Sequence, residues 1–297
     1  MPELPEVETI ARQLNEVLVG KIVSQMTVYR EKIFSGDKDV LIGKKITKVS
    51  RRAKVVGVEF EGFEDVVQIH LKMTGQLIFV EKTKKTQELK TDKTQVFEKR
   101  VAGGHPSVDW TNDLPSKHTR VEIIFDDDSV LFFNDMRAFG WVKITNREER
   151  EKQASSLPPD VIDESFTLDY FAQVLKKSKK PIKLVLLDQQ LMGGIGNIYA
   201  NDALNMAKIL PTRKACDLNV SEARKLYKAV RYVIELGIKC GGASAANYVD
   251  TKGLGGTYQN HFLTYKRDGE PCNNCGEKIL KVKLGGRGTF YCPNCQV

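Results

Sequence analysis

The sequence CNNC at 272–275 and the sequence CPNC at 292–295 are two Cys-x-x-Cys pairs separated by 16 residues. Tetrahedral zinc binds four thiolates, and each pair can direct two sulfur atoms at one ion. Four cysteine ligands leave no open coordination position, so the ion would be structural. A redox pair or disulfides are the alternatives, and an intracellular chain favours neither. The spacing therefore predicts a zinc ribbon closed by a β-hairpin.

The segment between the cysteine pairs reads Gly285-Gly286-Arg287-Gly288-Thr289. Glycine allows a hairpin tip to approach another surface closely, and Arg287 would project from this tip. Residues 262–297 contain six basic and three acidic side chains, a balance that suits phosphate contact. The alternative is an arginine that only faces solvent.

The first eight residues, MPELPEVE, carry the second distinctive pattern. If Met1 is removed, Pro2 becomes a terminal secondary amine, and an α-amino group has a pKa of roughly 7.7–8. Such an amine can attack an aldehyde-level carbon and form an iminium that is cationic without taking up a proton. Glu3 is a candidate proton carrier beside it. The alternative is a simple helix start, because apolar residues recur at helical spacing over 7–18 and Gly20 is a plausible stop.

Length and composition set the broad class. The 297 residues suggest two domains, and 41% hydrophobic residues can build buried cores. The sequence contains neither a long apolar run nor a signal peptide, which predicts a soluble, cytoplasmic protein. The net charge of +8 favours a polyanionic partner. Cys216 and Cys240 stand alone and are interpreted as small buried hydrophobic residues.

The pattern along the chain divides it near residue 145. Short runs rich in Val, Ile and Phe predict strands at 21–29, 44–50, 55–60, 66–71, 121–125, 130–133 and 141–144, typical of an antiparallel sandwich. The charged segment 81–114 interrupts them and is interpreted as a surface insertion. Helical periodicity then predicts helices at 167–177, 182–190, 198–207 and 221–240.

Five segments in one order resemble the bacterial formamidopyrimidine-DNA glycosylase family. They are residues 1–9 (MPELPEVET), 51–54 (RRAK), 70–75 (HLKMTG), 194–200 (GIGNIYA) and the cysteine pairs. The resemblance implies an α+β multidomain fold. Its parts are an N-terminal antiparallel β-sandwich with a leading helix (1–145), a helix–two-turn–helix domain (146–261) and a C-terminal zinc ribbon (262–297).

The resemblance also implies a function. The chain is expected to be a bifunctional DNA glycosylase and abasic-site lyase that excises oxidised purines from double-stranded DNA, as a monomer with one structural Zn²⁺. Pro2 resembles the nucleophile and Glu3 its acidic partner. Lys54 resembles the lysine of β-elimination, and Arg287 the phosphate-gripping arginine of δ-elimination. By itself, Lys54 would be interpreted as an exposed lysine at a strand end.

The implied DNA contacts follow from a physical need. A base must leave the duplex before Pro2 can reach its sugar, and other groups must fill the gap. Met73, Arg137 and Phe139 match the family's gap-filling residues, although Met73 and Phe139 alone would be interpreted as core residues. The other implied contacts, to the DNA backbone, are made by His118, Lys179 and Asn197.

Three departures from the family pattern, one open register and two rival functions accompany the resemblance. Ala138 replaces a usual basic residue, Thr119-Arg120 replaces Asp-His, the register of Lys179 is open within 176–180, and 245–248 lacks a basic residue. One rival function is an endonuclease VIII-type glycosylase for oxidised pyrimidines, and the other is a zinc-ribbon protein that only binds nucleic acid.

Overall fold

The computed structural model describes residues 2–81, 114–146, 148–149, 152, 157–243 and 255–297, and the backbone of 99–104. The chain forms two compact units. The first comprises 1–2, 6–154 and 241–256, and the second comprises 3–5, 155–240 and 257–297. The described helices include none that is both long and apolar enough to cross a membrane.

Two five-stranded sheets build the first unit. Sheet one has the order β1-β8-β9-β6-β7, and sheet two has the order β2-β10-β5-β4-β3. Every pairing is antiparallel except that of β2 with β10. The strands are β1 (Val23–Val28), β2 (Phe34–Ser35), β3 (Ile46–Arg52), β4 (Val55–Phe60), β5 (Phe63–His70), β6 (Gly75–Glu81), β7 (Lys99–Gly104), β8 (Thr119–Phe125), β9 (Val130–Asp135) and β10 (Trp141–Thr145).

The leading helix α1 (Leu4–Leu18) and both sheets contribute to one apolar core. Ile10 and Leu14 of α1 lie in the same cluster as Phe79 and Phe133 of sheet one and Ile69 of sheet two. The members of this cluster recur at helical spacing in α1 and alternate along most strands, so each of these elements turns one face toward the shared core. The predicted antiparallel sandwich with a leading helix is confirmed.

The second unit contains four described helices of five or more residues. They are α2 (Leu168–Lys176), α3 (Ile182–Leu187), α4 (Asn197–Met206) and α5 (Val220–Lys239). Thr167 caps α2, and an Asn219–Glu222 capping box starts α5. Helix α3 ends three residues earlier than predicted, because the backbone at Asp188 turns to an extended conformation.

The cysteine-rich end forms a two-stranded hairpin, β11 (Leu280–Leu284) and β12 (Arg287–Tyr291). Helix α4 binds it through side chains on one face. Asn201 Oδ1 accepts from the N–H of Phe290 at 2.9 Å, and Asn205 Nδ2 donates to Gln296 Oε1 at 2.9 Å. The buried Asp202 Oδ1 accepts from the N–H groups of Leu263, Thr264 and Tyr265 at 3.0–3.3 Å. This polar face of α4 fixes the hairpin within the unit.

Some expectations need correction. Cys216 and Cys240 are half-buried, not buried, since one lies in a surface 3₁₀ turn and the other ends α5. Strand β6 was not predicted. Within the segment 81–114, Glu81 ends β6, residues 99–104 pair with β6 as β7, and 82–98 and 105–113 lie outside the described residues. The boundaries 1–145, 146–261 and 262–297 stay a prediction.

Candidate active site

The N-terminal residues are held by the glycine-rich loop before α4, all within the second unit. Leu4 N–H donates to Gly194 O at 3.2 Å, and Glu3 Oε1 accepts from the N–H of Ile198 at 3.1 Å. A Cβ at Gly194 would lie 2.2 Å from Leu4 Cδ1, and one at Gly196 would lie 1.9 Å from Glu3 Cδ. The glycines therefore make room for these two residues.

This contact occupies one of the N–H groups at the start of α4. Such groups, when glycines leave room beside them, can form a phosphate cradle. One of them, on Ile198, instead donates to the Glu3 carboxylate, an anion that the positive end of a helix dipole favours. Pro2 is buried, and Glu3 is 6% exposed. A carboxylate oriented by its own hydrogen bond thus stands next to Pro2 in the chain.

The contact predicts an effect of Gly196→Ala. The backbone at Gly196 has φ −126°, which alanine can adopt, so the clash with Glu3 is the main opposition to the substitution, with a smaller one from the loss of glycine at the N-cap of α4. We expect the free energy of unfolding to fall by about 1–3 kcal/mol, the usual cost of overpacking. Thermal unfolding measures it, with Gly57→Ala as the control, because a Cβ at Gly57 meets nothing nearer than 3.6 Å. Equal losses in both variants would contradict the contact.

Lys54 lies in the turn between β3 and β4 and is only 6% exposed, so the interpretation as an exposed lysine is wrong. Ala53 has φ 49°, and Arg51 Nη1 donates to its carbonyl at 3.0 Å. Arg51 Nε also donates to Glu8 Oε2 at 2.7 Å. Burial opposes ionisation of Glu8, but Arg51 and Arg12 lower its pKa overall. The turn that carries Lys54 is thus tied to α1.

His70 has a strongly lowered pKa that the sequence reasoning did not predict. Its Nδ1 accepts from the N–H of Lys72 at 3.0 Å, and its ring lies 5.6 Å from that of Trp141. Burial, with the charges of Lys72 and Lys54, lowers the pKa of His70 to about 4. The ring is therefore neutral at pH 7. The signal available was its position at the start of the 70–75 motif.

The three proposed gap-filling residues are exposed. Met73 is 44% and Phe139 55% exposed, so the alternative interpretation as core residues is wrong. The Arg137 guanidinium lies 4.6 Å from the centre of the Phe139 ring. Their loops and the half-buried His118 meet at one end of sheet one, where β6 and β8 both pair with β9. The first unit thus presents all four together.

The four cysteines of the ribbon form one cluster in which all sulfur atoms lie within 4.8 Å of one another. Cys272 and Cys295 Sγ are 4.0 Å apart, and Cys275 and Cys292 Sγ are 3.5 Å apart. Tetrahedral zinc with Zn–S bonds of about 2.3 Å requires sulfur separations of roughly 3.8 Å. The cluster fits one such ion.

Arg287 is exposed at the start of β12, directly after the turn at Gly285 and Gly286, which have φ +56° and +78°. Asn197 Nδ2 donates to the next carbonyl, Gly288 O, at 3.1 Å. Lys179 is exposed between α2 and α3. The second unit therefore contains Glu3, Asn197, Lys179 and Arg287, whereas Pro2 and Lys54 belong to the first.

Lys183, in α3 of the second unit, is a buried lysine with a strongly lowered pKa. It is fully buried, and its Nζ donates to Gly288 O and Thr289 Oγ1, each at 2.8 Å. Burial and the charge of Arg287 lower the pKa of Lys183 to about 7, against the opposing effect of Glu3. Its signal in the sequence is a single lysine within an apolar helical run.

This burial predicts a pH dependence of stability. An unfolded lysine has a pKa of about 10.4, so between about pH 7 and pH 10 the unfolded chain binds a proton that the folded chain lacks. Stability should rise with pH across this window, by up to about 1.4 kcal/mol per unit. The free energy of unfolding, measured with urea at pH 7.5, 8.5 and 9.5, should rise with pH in wild type and in the control Lys180→Met, which removes an exposed lysine. In Lys183→Met this rise should be lost. An equal rise in wild type and both variants would refute the prediction.

Models of known domains match the chain in order. They describe the formamidopyrimidine-DNA glycosylase N-terminal domain over 1–142, the formamidopyrimidine-DNA glycosylase H2TH domain over 157–248, and a zinc finger found in FPG and IleRS over 269–297. The cysteine cluster is accordingly a site for one structural zinc ion, as predicted.

Curated proteins and solved structures are similar over nearly their full lengths. Formamidopyrimidine-DNA glycosylase of Pelotomaculum thermopropionicum is 35% identical over 100% of this chain and 99% of the relative, and that of Listeria monocytogenes is 34% identical over 100% of both. The MutM (Fpg) crystal structure from Thermus thermophilus superposes with a TM-score of 0.80 at 32% identity, covering 99% of this chain and 98% of that one. Lactococcus lactis Fpg bound to abasic-site DNA has a TM-score of 0.81 at 29% identity, covering 100% of both chains.

Proposed function

The chain belongs to the formamidopyrimidine-DNA glycosylase family, and from this membership we propose that it is a bifunctional DNA glycosylase and abasic-site lyase that removes oxidised purines from double-stranded DNA. One observation carries the proposal. The carboxylate of Glu3, next to Pro2 in the chain, is buried and oriented by the N–H of Ile198. A simple helix start would not require a buried acid at this position.

In the proposed reaction, the unprotonated amine of Pro2 attacks C1′ of the damaged nucleotide. The N–C1′ bond forms as the glycosidic bond breaks, and the base leaves with the electron pair of that bond and takes up a proton from solvent. The Glu3 carboxylate accepts the proton that the Pro2 nitrogen loses and passes it to the sugar ring oxygen as the ring opens. The resulting iminium is an electron sink that acidifies C2′–H.

Elimination follows from that acidity. Loss of the C2′ proton expels the 3′-phosphate, and loss of the C4′ proton then expels the 5′-phosphate, leaving a one-nucleotide gap with phosphates at both ends. Hydrolysis of the remaining iminium releases the unsaturated sugar fragment and frees Pro2. We assign the first step to Lys54, which is buried in the β3–β4 turn. We assign phosphate binding at the second step to Arg287, since a guanidinium stays protonated at neutral pH and stabilises charge better than it donates a proton.

The remaining proposed contacts serve extrusion of the base. Met73 and Phe139 offer apolar surface for the vacated stack, and Arg137 can hydrogen-bond the orphaned base. His118, Lys179 and Asn197 contact the DNA backbone. Asn197 lies at the first position of α4 and donates to Gly288 O next to Arg287, which places it close to the proposed phosphate-binding arginine. We further propose that the protein acts on damaged duplex DNA as a monomer.

One observation favours a second candidate. A Lactococcus lactis Fpg was solved with DNA containing an oxidised pyrimidine, with a TM-score of 0.80 at 30% identity to this chain. Excision of oxidised pyrimidines is therefore the alternative.

Borohydride trapping tests both candidates. Wild-type protein is mixed with duplexes containing 8-oxoguanine or thymine glycol, and covalent adducts are separated by gel electrophoresis. We expect adduct mainly on the 8-oxoguanine duplex. Predominant adduct on the thymine glycol duplex would support excision of oxidised pyrimidines instead. Absence of adduct on both duplexes would support the second rival, a zinc-ribbon protein that binds nucleic acid without catalysis.

A further inference from the structure

Asp135, at the end of β9, is completely buried, and its carboxylate accepts hydrogen bonds from two loops of the first unit. Oδ2 accepts from the N–H of Gly140 at 2.7 Å, and Oδ1 accepts from the N–H of Arg137 at 3.2 Å. Oδ1 also accepts from the hydroxyl of Thr74. Thr74 Oγ1 in turn accepts from the N–H of Arg137 at 3.2 Å, which closes the network.

Each of these bonds lies next to an exposed side chain. The donor Thr74 directly follows the exposed Met73, and the donor Gly140 directly follows the exposed Phe139. The third donor is the main-chain N–H of Arg137, whose own side chain is exposed. The carboxylate therefore fixes the main chain on both sides of the segment 137–139. The fit is tight, since a Cβ at Gly140 would lie 3.0 Å from Asp135 Oδ2.

The main chain of Asp135 holds the third loop. Its N–H donates to His118 O at 2.9 Å, and its carbonyl accepts from Arg120 Nε at 2.9 Å. Arg120 Nη1 also donates to Lys117 O at 3.0 Å. Arg120 is the residue that departs from the family pattern after His118, and here it braces the loop that carries His118.

We propose that Asp135 is a positioning residue that holds the loops of Met73, His118 and Arg137–Phe139 in one arrangement before DNA binds. The inference rests on the proposed function. Groups that enter a vacated base stack lose conformational freedom, and loops already ordered lose less of it. Three donors converge on two oxygens, which a carboxylate can satisfy. Asparagine would offer one oxygen and direct its amide N–H groups at a donor.

The proposal is tested by a double-mutant cycle with Asp135→Asn and Phe139→Ala. Single-turnover release of 8-oxoguanine from duplex DNA is measured at saturating enzyme. Loss of hydrogen bonds to a charged group should slow release about 10-fold in Asp135→Asn. If Asp135 acts in part by positioning Phe139, Asp135→Asn should slow release by clearly less than 10-fold in the Phe139→Ala background, where only its effects on the other loop residues remain. Multiplying effects would overturn the proposal, because they would indicate an independent structural role.

Controls separate the other outcomes. Asp126→Asn removes an exposed carboxylate that accepts one backbone bond, from Ile22 at 3.1 Å, at the opposite end of β8, and should leave release unchanged. If thermal unfolding shows that Asp135→Asn is not folded, Thr74→Val takes the place of Asp135→Asn in the double-mutant cycle. That variant removes the hydroxyl alone and should slow release about 3-fold. Again, this effect should be clearly smaller in the Phe139→Ala background, and an undiminished effect there would overturn the proposal.

The same protein preparations distinguish this inference from the function on which it rests. Wild-type protein is trapped with borohydride on a preformed abasic duplex, which contains no base to extrude. Absence of adduct there would refute the proposed chemistry itself. Adduct in wild type together with a multiplicative cycle would refute only the role of Asp135.

Discussion

Replacing Pro2 by glycine should lower base release and borohydride-trapped adduct together, each by on the order of 100-fold, the range usual for loss of a positioned catalytic group. Glycine provides a primary amine, whose Schiff base needs a proton to become cationic, and it lacks the ring that orients the nitrogen lone pair. Both readouts depend on one covalent intermediate and should fall in parallel. The measurement is single-turnover release from an 8-oxoguanine duplex, with trapping on the same samples.

Two controls make this result specific. Binding of Pro2→Gly to a duplex with a non-reactive abasic analogue should be near wild type, because the substitution removes no phosphate-contacting group. Mass spectrometry of the wild-type protein should show that Met1 is absent. Undiminished trapping in Pro2→Gly, or active protein that retains Met1, would exclude Pro2 as the nucleophile.

Replacing Cys292 by serine should abolish tight binding to lesion DNA. Cys292 is fully buried, and its sulfur is one of the four that can hold zinc. Structural zinc sites contribute on the order of 10 kcal/mol to the folding of small domains, so three thiolates should not keep the ribbon folded. Without the ribbon, Arg287 loses its position after the Gly285-Gly286 turn. We expect affinity for a lesion duplex to fall by about 100-fold or more at moderate salt.

The matched control is Cys216→Ser, a half-buried cysteine outside the cluster. Zinc content by atomic absorption and DNA affinity by fluorescence anisotropy are measured in both variants. Wild-type affinity in Cys292→Ser would refute a structural role of the zinc site in DNA binding. Loss of zinc from Cys216→Ser would show that the metal depends on residues outside the four-cysteine cluster.

Patterns local in sequence predicted most of the elements. Strand β4 matches its predicted bounds, 55–60, because a turn signal directly follows it. The 16-residue spacing of the cysteine pairs predicted both the hairpin and the metal cluster. Strand β6 was not predicted because Leu77, Ile78, Phe79 and Val80 are all buried. The strand therefore lacks the alternation of apolar and polar residues by which a half-buried strand is recognised.

The connections within the site could not be predicted in this way. The Glu3–Ile198 hydrogen bond joins residues 195 apart, and the Lys183–Gly288 bond joins residues 105 apart. Local spacing carries no information about such pairs. The exposure of Met73 and Phe139 also depends on tertiary structure, because a methionine or phenylalanine in a strand-rich region is more often in a core.

Glu3–Pro5 group with residues 155–240 and 257–297 rather than with the helix they begin. During synthesis, the ribosome releases Glu3 long before Ile198 exists. A truncated translation product that stops before that point has no partner for this acid, and closing so long a loop carries its own entropic cost. Chains that end before residue 198 therefore lack the Glu3–Ile198 hydrogen bond, and if the proposed function is correct we expect them to lack strand-scission activity.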